Sequence, residues 1–188
     1  MDHYVDIRLR TDPELAPHQL LGGLYTRLHR ALVQLGNQGI GVSFPGHDDK
    51  KPSLGTWMRL HGTEAALRQL MATTWLNGML DHLVISAIAP VPANANYRLV
   101  SRMQAKSSPD RLRRRAMRRR GLDAATALQQ IPDSAAERLQ LPFVTLGSRS
   151  TGQASFPLFI RHGPLLATPA PGAFNSYGLS HEATIPWF

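Results

Sequence analysis

His29 stands beside Leu28 in a stretch with helical spacing, and "TLGSRSTGQ" at 145–153 gathers hydroxyls and glycines. An imidazole moves protons near neutral pH, and such a turn can hold a phosphate or a ribose through hydrogen bonds. Read otherwise, His29 is packing at a helix margin and 145–153 is an ordinary hairpin loop. Several chemistries drop out at once. The 188 residues contain no cysteine, hence no thiolate nucleophile, no disulfide and no sulfur-based zinc site. No GxSxG elbow is present to support serine acylation. None of the eight histidines pairs with another at the i,i+4 spacing of a helical metal site. "HDD" at 47–49 comes nearest to a metal cluster and, in a polar loop, reads as solvated, so no metal and no cofactor is expected.

The densest charge lies elsewhere. "SPDRLRRRAMRRRGLD" places seven of the chain's 21 Lys and Arg between Arg111 and Arg120. Ser108 offers a helix cap, Pro109 suits a first helical position, Asp110 complements the dipole and Gly121 ends the run, so a helix over about 109–120 is expected. On it Arg111, Arg115, Arg118 and Arg119 share one face, while Leu112 and Met117 are free to pin the helix. Like charges at this spacing repel by a few tenths of a kcal/mol per pair. A polyanion removes that penalty, and guanidinium groups suit phosphates and guanine edges. The formal charge of +8 and pI of about 10.8 agree. A solvated basic face or arm is the bland reading.

The elements that must position these groups begin with alternation over 4–10, a half-buried strand. Leucines and alanines at three- and four-residue spacing make 17–35 a helix ending at Gly36. Strands follow at 39–45 and 56–62, a helix at 64–71 capped by Thr63, and a strand at 81–90. The order β-α-β-β-α-β is the ferredoxin-like split βαβ arrangement, and a Pro- and Asn-rich stretch puts a boundary near Asn94. The fold class is therefore α+β: a ferredoxin-like domain at 1–94 carrying His29, then a region at 95–188 with the arginine-rich helix and β-hairpin elements. In the second half, 97–106 has strand-like stretches, 121–131 reads as a short helix, and "PFVTLGS", "SFPLFIRH", "GAFNSYGLS" and "TIPWF" are β-prone. The N-terminus lacks an apolar signal region and no long apolar run follows, so a soluble, cytoplasmic protein without a membrane partner is expected.

Taken in order, "MDHYVDIRLR", "LHRALV", "GIGVSFP", "VSRMQAKSSPDRLRRRAMRRR", "LPFVTLGSRSTGQ", "FIRHGPL", "YGLS" and "PWF" resemble the CRISPR repeat-processing endoribonucleases of type I-F (Csy-type) systems, from the first residue to the last. The resemblance implies metal-independent cleavage at the 3′ base of a repeat stem-loop. In that family the ribose 2′-OH attacks the adjacent phosphate and leaves a 5′-OH and a 2′,3′-cyclic phosphate. On matching positions it implies His29 as acid/base, Ser148 as holding the attacking ribose, and Tyr177 as placing the imidazole. Arg102 and Gln104 match the base-reading pair, Arg115, Arg118 and Arg119 the groove and phosphate contacts, and Ser150 and Thr151 contacts near the cut. Phe156 matches the residue that stacks on RNA, one position later than the pattern, and Gly147 stands where a basic residue is expected. Implied partners are the repeat stem-loop and other subunits of a type I-F surveillance complex. Two other classes stay open: a non-catalytic hairpin-binding subunit, and an interaction subunit with a purely electrostatic role.

Overall fold

A computed structural model describes residues 1–104, 109–132, 139–147 and 155–188. The architecture is mixed α+β, with two antiparallel sheets and four α-helices among the described residues. The chain packs as two compact units: Met1–Met103 with Leu141–Phe188, and Gln104–Gln140. The boundary expected near Asn94 coincides with neither edge.

In the larger unit, β1 (His3–Leu9) is followed by α1 (Pro17–Leu35), β2 (Gly41–Ser43), β3 (Trp57–Gly62), α2 (Glu64–Met71) and β4 (Leu83–Ile85). The sheet order is β2-β3-β1-β4, each neighbour antiparallel, so both helical connections cross over one intervening strand. The Thr63 hydroxyl accepts from Ala66 N–H at 3.2 Å, the cap expected of α2. The single strand expected over 81–90 is instead a 3-10 turn (Leu80–His82), β4, and a separate two-residue strand, β5 (Ala89–Pro90), also paired with β1. Ser86 causes the break. Its hydroxyl accepts from Asp6 N–H at 2.9 Å, where a continuing strand would present a backbone carbonyl.

The second sheet, ordered β7-β8-β6-β9, comprises β6 (Asn96–Met103), β7 (Phe143–Leu146), β8 (Phe156–His162) and β9 (Thr184–Trp187). "GAFNSYGLS", expected to be β-prone, forms no strand. It is a turn, for reasons given with the site below.

The helix that carries His29 is the most deeply held element. Leu20, Leu21, Leu24, Tyr25, Leu28, Ala31 and Leu32 are all buried, and each large side chain so placed is worth roughly 1.5–3 kcal/mol relative to exposure. Gly22 lets α1 approach β7 closely, since a Cβ there would stand 2.5 Å from Thr145 O. Pro17 opens the helix and Gly36, at φ +61°, closes it with its N–H on Leu32 O. Beneath the first sheet's other face, buried Arg59 pairs with both carboxylate oxygens of Asp6, at 2.6 and 3.0 Å, and donates to Phe188 O. Among the described residues no helix is long and apolar enough to cross a membrane.

The smaller unit contains α3 (Pro109–Arg120) and α4 (Ala124–Gln130), which pack together. Gly121, at φ +66°, closes α3 with its N–H on Met117 O, and Asp123 caps α4 by accepting from Thr126 N–H at 2.8 Å.

Candidate active site and basic helix

His29 sits one helical turn beyond Tyr25, so both side chains emerge on one side of α1. Its ring is half-buried at the margin of the apolar stripe. Nδ1–H donates to the Ser176 carbonyl at 2.8 Å, which leaves Nε2 as the unprotonated nitrogen of the neutral ring. The Tyr177 ring stacks on the imidazole, centroids 4.0 Å apart and planes 5° from parallel. One ring edge and one ring face are thus fixed before any substrate arrives.

Tyr177 is itself fixed by a tight turn. Asn175 Oδ1 accepts from Tyr177 N–H at 2.8 Å and from Leu179 N–H at 3.2 Å, and Gly178 N–H returns to Asn175 O at 2.8 Å. Gly178 adopts φ +68°, where a Cβ would lie 2.4 Å from Val42 Cγ2, so any other residue would be strained and would have to displace Val42. Tyr25 O–H donates to the Tyr177 carbonyl at 2.7 Å, tying the turn back to α1. Burial, with Tyr177 alongside, pushes the Tyr25 hydroxyl well above its usual range, which keeps it a neutral donor. These contacts explain why 172–180 is not a strand: the Asn side chain takes over the backbone N–H groups that a ladder would use.

The Arg102 guanidinium lies over the same Tyr177 ring, 5.5 Å from its centroid, and 6.0 Å from that of Phe156. The structure therefore brings together His29, Tyr177, Arg102 and Phe156, four residues separated by as much as 148 positions but joined within the larger unit. Chemically, this is an imidazole with an acceptor nitrogen that shares one tyrosine ring with a guanidinium, and an imidazole so held is able to exchange a proton with a hydroxyl. Ser148, Ser150 and Thr151 lie outside the described residues. Gln104 is exposed just past the end of β6.

In the smaller unit no residue of α3 is buried. Arg111, Arg114, Arg115, Arg118 and Arg119 line one concave strip, which adds Arg114 to the face expected from spacing. The apolar side differs from expectation. Leu112 and Ala116 are half-buried, whereas Met117 is exposed. Arg113 takes that place: it is half-buried and its Nε donates to Ile131 O at 2.8 Å while Nη1 meets Asp110 at 3.1 Å. The helix thus reserves one arginine for its own packing.

Sequence reasoning missed Tyr25, whose hydroxyl contact spans 152 positions, and the turn, although Asn175 and Gly178 were available as signals. It also misjudged His47. That side chain is only 10% exposed and stacks on His162, 3.7 Å between centroids, rather than standing in solvent.

Comparison with known proteins adds the following. Residues 4–188 match the family model described as CRISPR-associated protein (Cas_Csy4). The chain is 54% identical over 188 residues to a protein of Pseudomonas aeruginosa (strain UCBPP-PA14) named CRISPR-associated endonuclease Cas6/Csy4, covering 100% of both chains. It is 45% identical, again over the whole of both, to a protein of the same name from Escherichia coli (strain UTI89 / UPEC).

Proposed function

Because the chain belongs to the Cas_Csy4 family of CRISPR-associated proteins, we propose that it is an endoribonuclease that binds the stem-loop of CRISPR repeat RNA and cleaves at its 3′ base without a metal. The observation that carries this reading is the fixed imidazole: His29 held through Nδ1 on Ser176 O and stacked on Tyr177, with Nε2 left basic.

In this reaction the 2′-OH upstream of the scissile phosphate gives its proton to His29 Nε2 and its oxygen bonds to phosphorus. The bond from phosphorus to the 5′ oxygen breaks, and that oxygen leaves as a 5′-OH after taking a proton, so the other product is a 2′,3′-cyclic phosphate. The nucleophile is already on the RNA, so no activated water is required. Ser148 holds the attacking ribose and Tyr177 keeps the imidazole in plane. Arg102 and Gln104 read bases, and Phe156 stacks on the RNA. Ser150 and Thr151 contact the strand near the cut. Arg111, Arg115, Arg118 and Arg119 neutralise phosphates along the stem. The strand order β2-β3-β1-β4 supports a ferredoxin-like reading of 1–94, with 95–188 as the hairpin-binding region. After cleavage the protein stays on the hairpin, alongside other subunits of a type I-F surveillance complex in the cytoplasm.

The exposed arginines of α3 equally suit a subunit that binds the hairpin without cutting it. Incubation with labelled repeat RNA in excess EDTA separates the two. Full cleavage in EDTA, abolished by a single 2′-deoxy substitution before the cut, is expected. Binding without cleavage, or cutting of the deoxy substrate, overturns the mechanism.

A further inference from the structure

His47 follows β2 and His162 ends β8. With Asp49, their ligand atoms lie within 4.8 Å of one another. His47 Nδ1–H donates to Phe44 O at 2.9 Å, which fixes the tautomer and leaves Nε2 as an acceptor facing another acceptor, Asp49 Oδ2, at 3.8 Å. A proton on Nε2 or a bound cation would turn this pairing into an attraction. His162 is 8% exposed, and neither ring nitrogen has a hydrogen-bond partner. Leaving such a group unmatched costs about 1–3 kcal/mol.

The surroundings resemble those of a metal centre. Phe44 and Trp187 each form a T-shaped ring pair with His162, giving an apolar wall, while Asp49 is 58% exposed and opens the cluster to solvent. Arg98 opposes added positive charge, but its Nε is engaged by Gly163 O and its guanidinium stacks on Trp187, while the Asp49 carboxylate offsets it. The rings now lie face to face, 20° from parallel, and must turn toward edge-on to aim at one ion.

We propose that His47, Asp49 and His162 form a site for one divalent transition-metal ion, tying the loop after β2 to the end of β8. Two imidazoles and one carboxylate suit zinc, cobalt or nickel rather than magnesium or calcium, and a water completes the shell. The site is separate from His29 and has no part in the cleavage chemistry above.

The test uses tag-free full chain, with zinc affinity measured by competition against a chromophoric chelator and the site geometry by visible absorption of bound cobalt. One equivalent of zinc, together with a rise in melting temperature, is expected. His47→Leu and Asp49→Ala should each weaken binding by at least the roughly 10–100-fold that loss of an outer-shell partner costs. His3→Gln should leave it unchanged. Should His47→Leu fail to fold, Asp49→Ala decides alone, since that side chain is largely exposed. Absence of stoichiometric uptake, or equal affinity in wild type and Asp49→Ala, overturns the site.

Discussion

Gly178 and Gly121 share a backbone conformation, φ +68° and +66°, in opposite surroundings. A Cβ on Gly178 would strike Val42 at 2.4 Å, whereas one on Gly121 would meet nothing within 4 Å. The contrast holds for the whole of each region. Around His29, each group is positioned by another buried or hydrogen-bonded one: Val42 by Gly178, Tyr177 by Tyr25 and Asn175. On α3, no residue is buried and every arginine but Arg113 is exposed. The proposed reaction needs its proton-transfer group aimed within a fraction of an ångström, which packing of this kind provides. The proposed phosphate contacts of α3 need reach more than fixed aim, which exposed arginines provide.

The largest expected effect tests whether the packed region is purely chemical. His29→Ala should lower the single-turnover cleavage rate by about 10²–10⁴ while hairpin affinity stays unchanged. A matching loss of affinity would break the division between the regions. Next comes the glycine pair. Gly178→Ala should cost roughly 2–5 kcal/mol, combining left-handed strain with overpacking, whereas Gly121→Ala should cost only about 1 kcal/mol. Urea unfolding measures both, and similar values would show that Val42 yields.

A third test sharpens the packed side. Burial, with the Arg59 guanidinium beside it, pushes His61 down to about 3 from 6.5. The unfolded chain therefore binds the proton that the folded chain refuses. Stability from this group is complete above pH 6.5 and is lost as pH falls toward 3, at up to about 1.4 kcal/mol per pH unit. His61→Leu should flatten the stability profile across that window; an unchanged slope would assign the acid sensitivity elsewhere. The smallest effect belongs to α3. Arg115→Ala or Arg119→Ala should each reduce the log–log salt slope of hairpin binding by about 0.7–0.9, one phosphate contact, with no change in cleavage rate at saturation. A base-dependent loss would mean that α3 reads sequence as well as charge.

Much of this was legible in the chain. The bounds of α1 followed from leucine spacing, Pro17 and Gly36, because a long amphipathic helix declares its period and its ends locally. His29, Tyr177, Arg102 and Phe156 were named through a resemblance spread over the whole chain, and no local pattern would have joined them. What escaped depends on single hydroxyls and long-range pairs. Ser86 splits an expected strand with one side-chain bond, and Tyr25 reaches a carbonyl that no periodicity indicates. His47 and His162 meet only because the loop after β2 lies against the end of β8. Met117 was assigned to packing by its apolar character, yet Arg113 held the position because its stem can be covered while its nitrogens find Ile131 and Asp110.

The larger unit is interrupted: the chain leaves it after Met103 and returns at Leu141. During synthesis, the first sheet has all its strands once Pro90 has emerged, but β6 must wait for both of its partners, β8 and β9. The turn that carries Tyr177 lies between those two strands in sequence. His29 is therefore translated 148 residues ahead of its ring partner, Tyr177. A nascent chain that stops short of Tyr177 holds the histidine but not the stacked pair of rings.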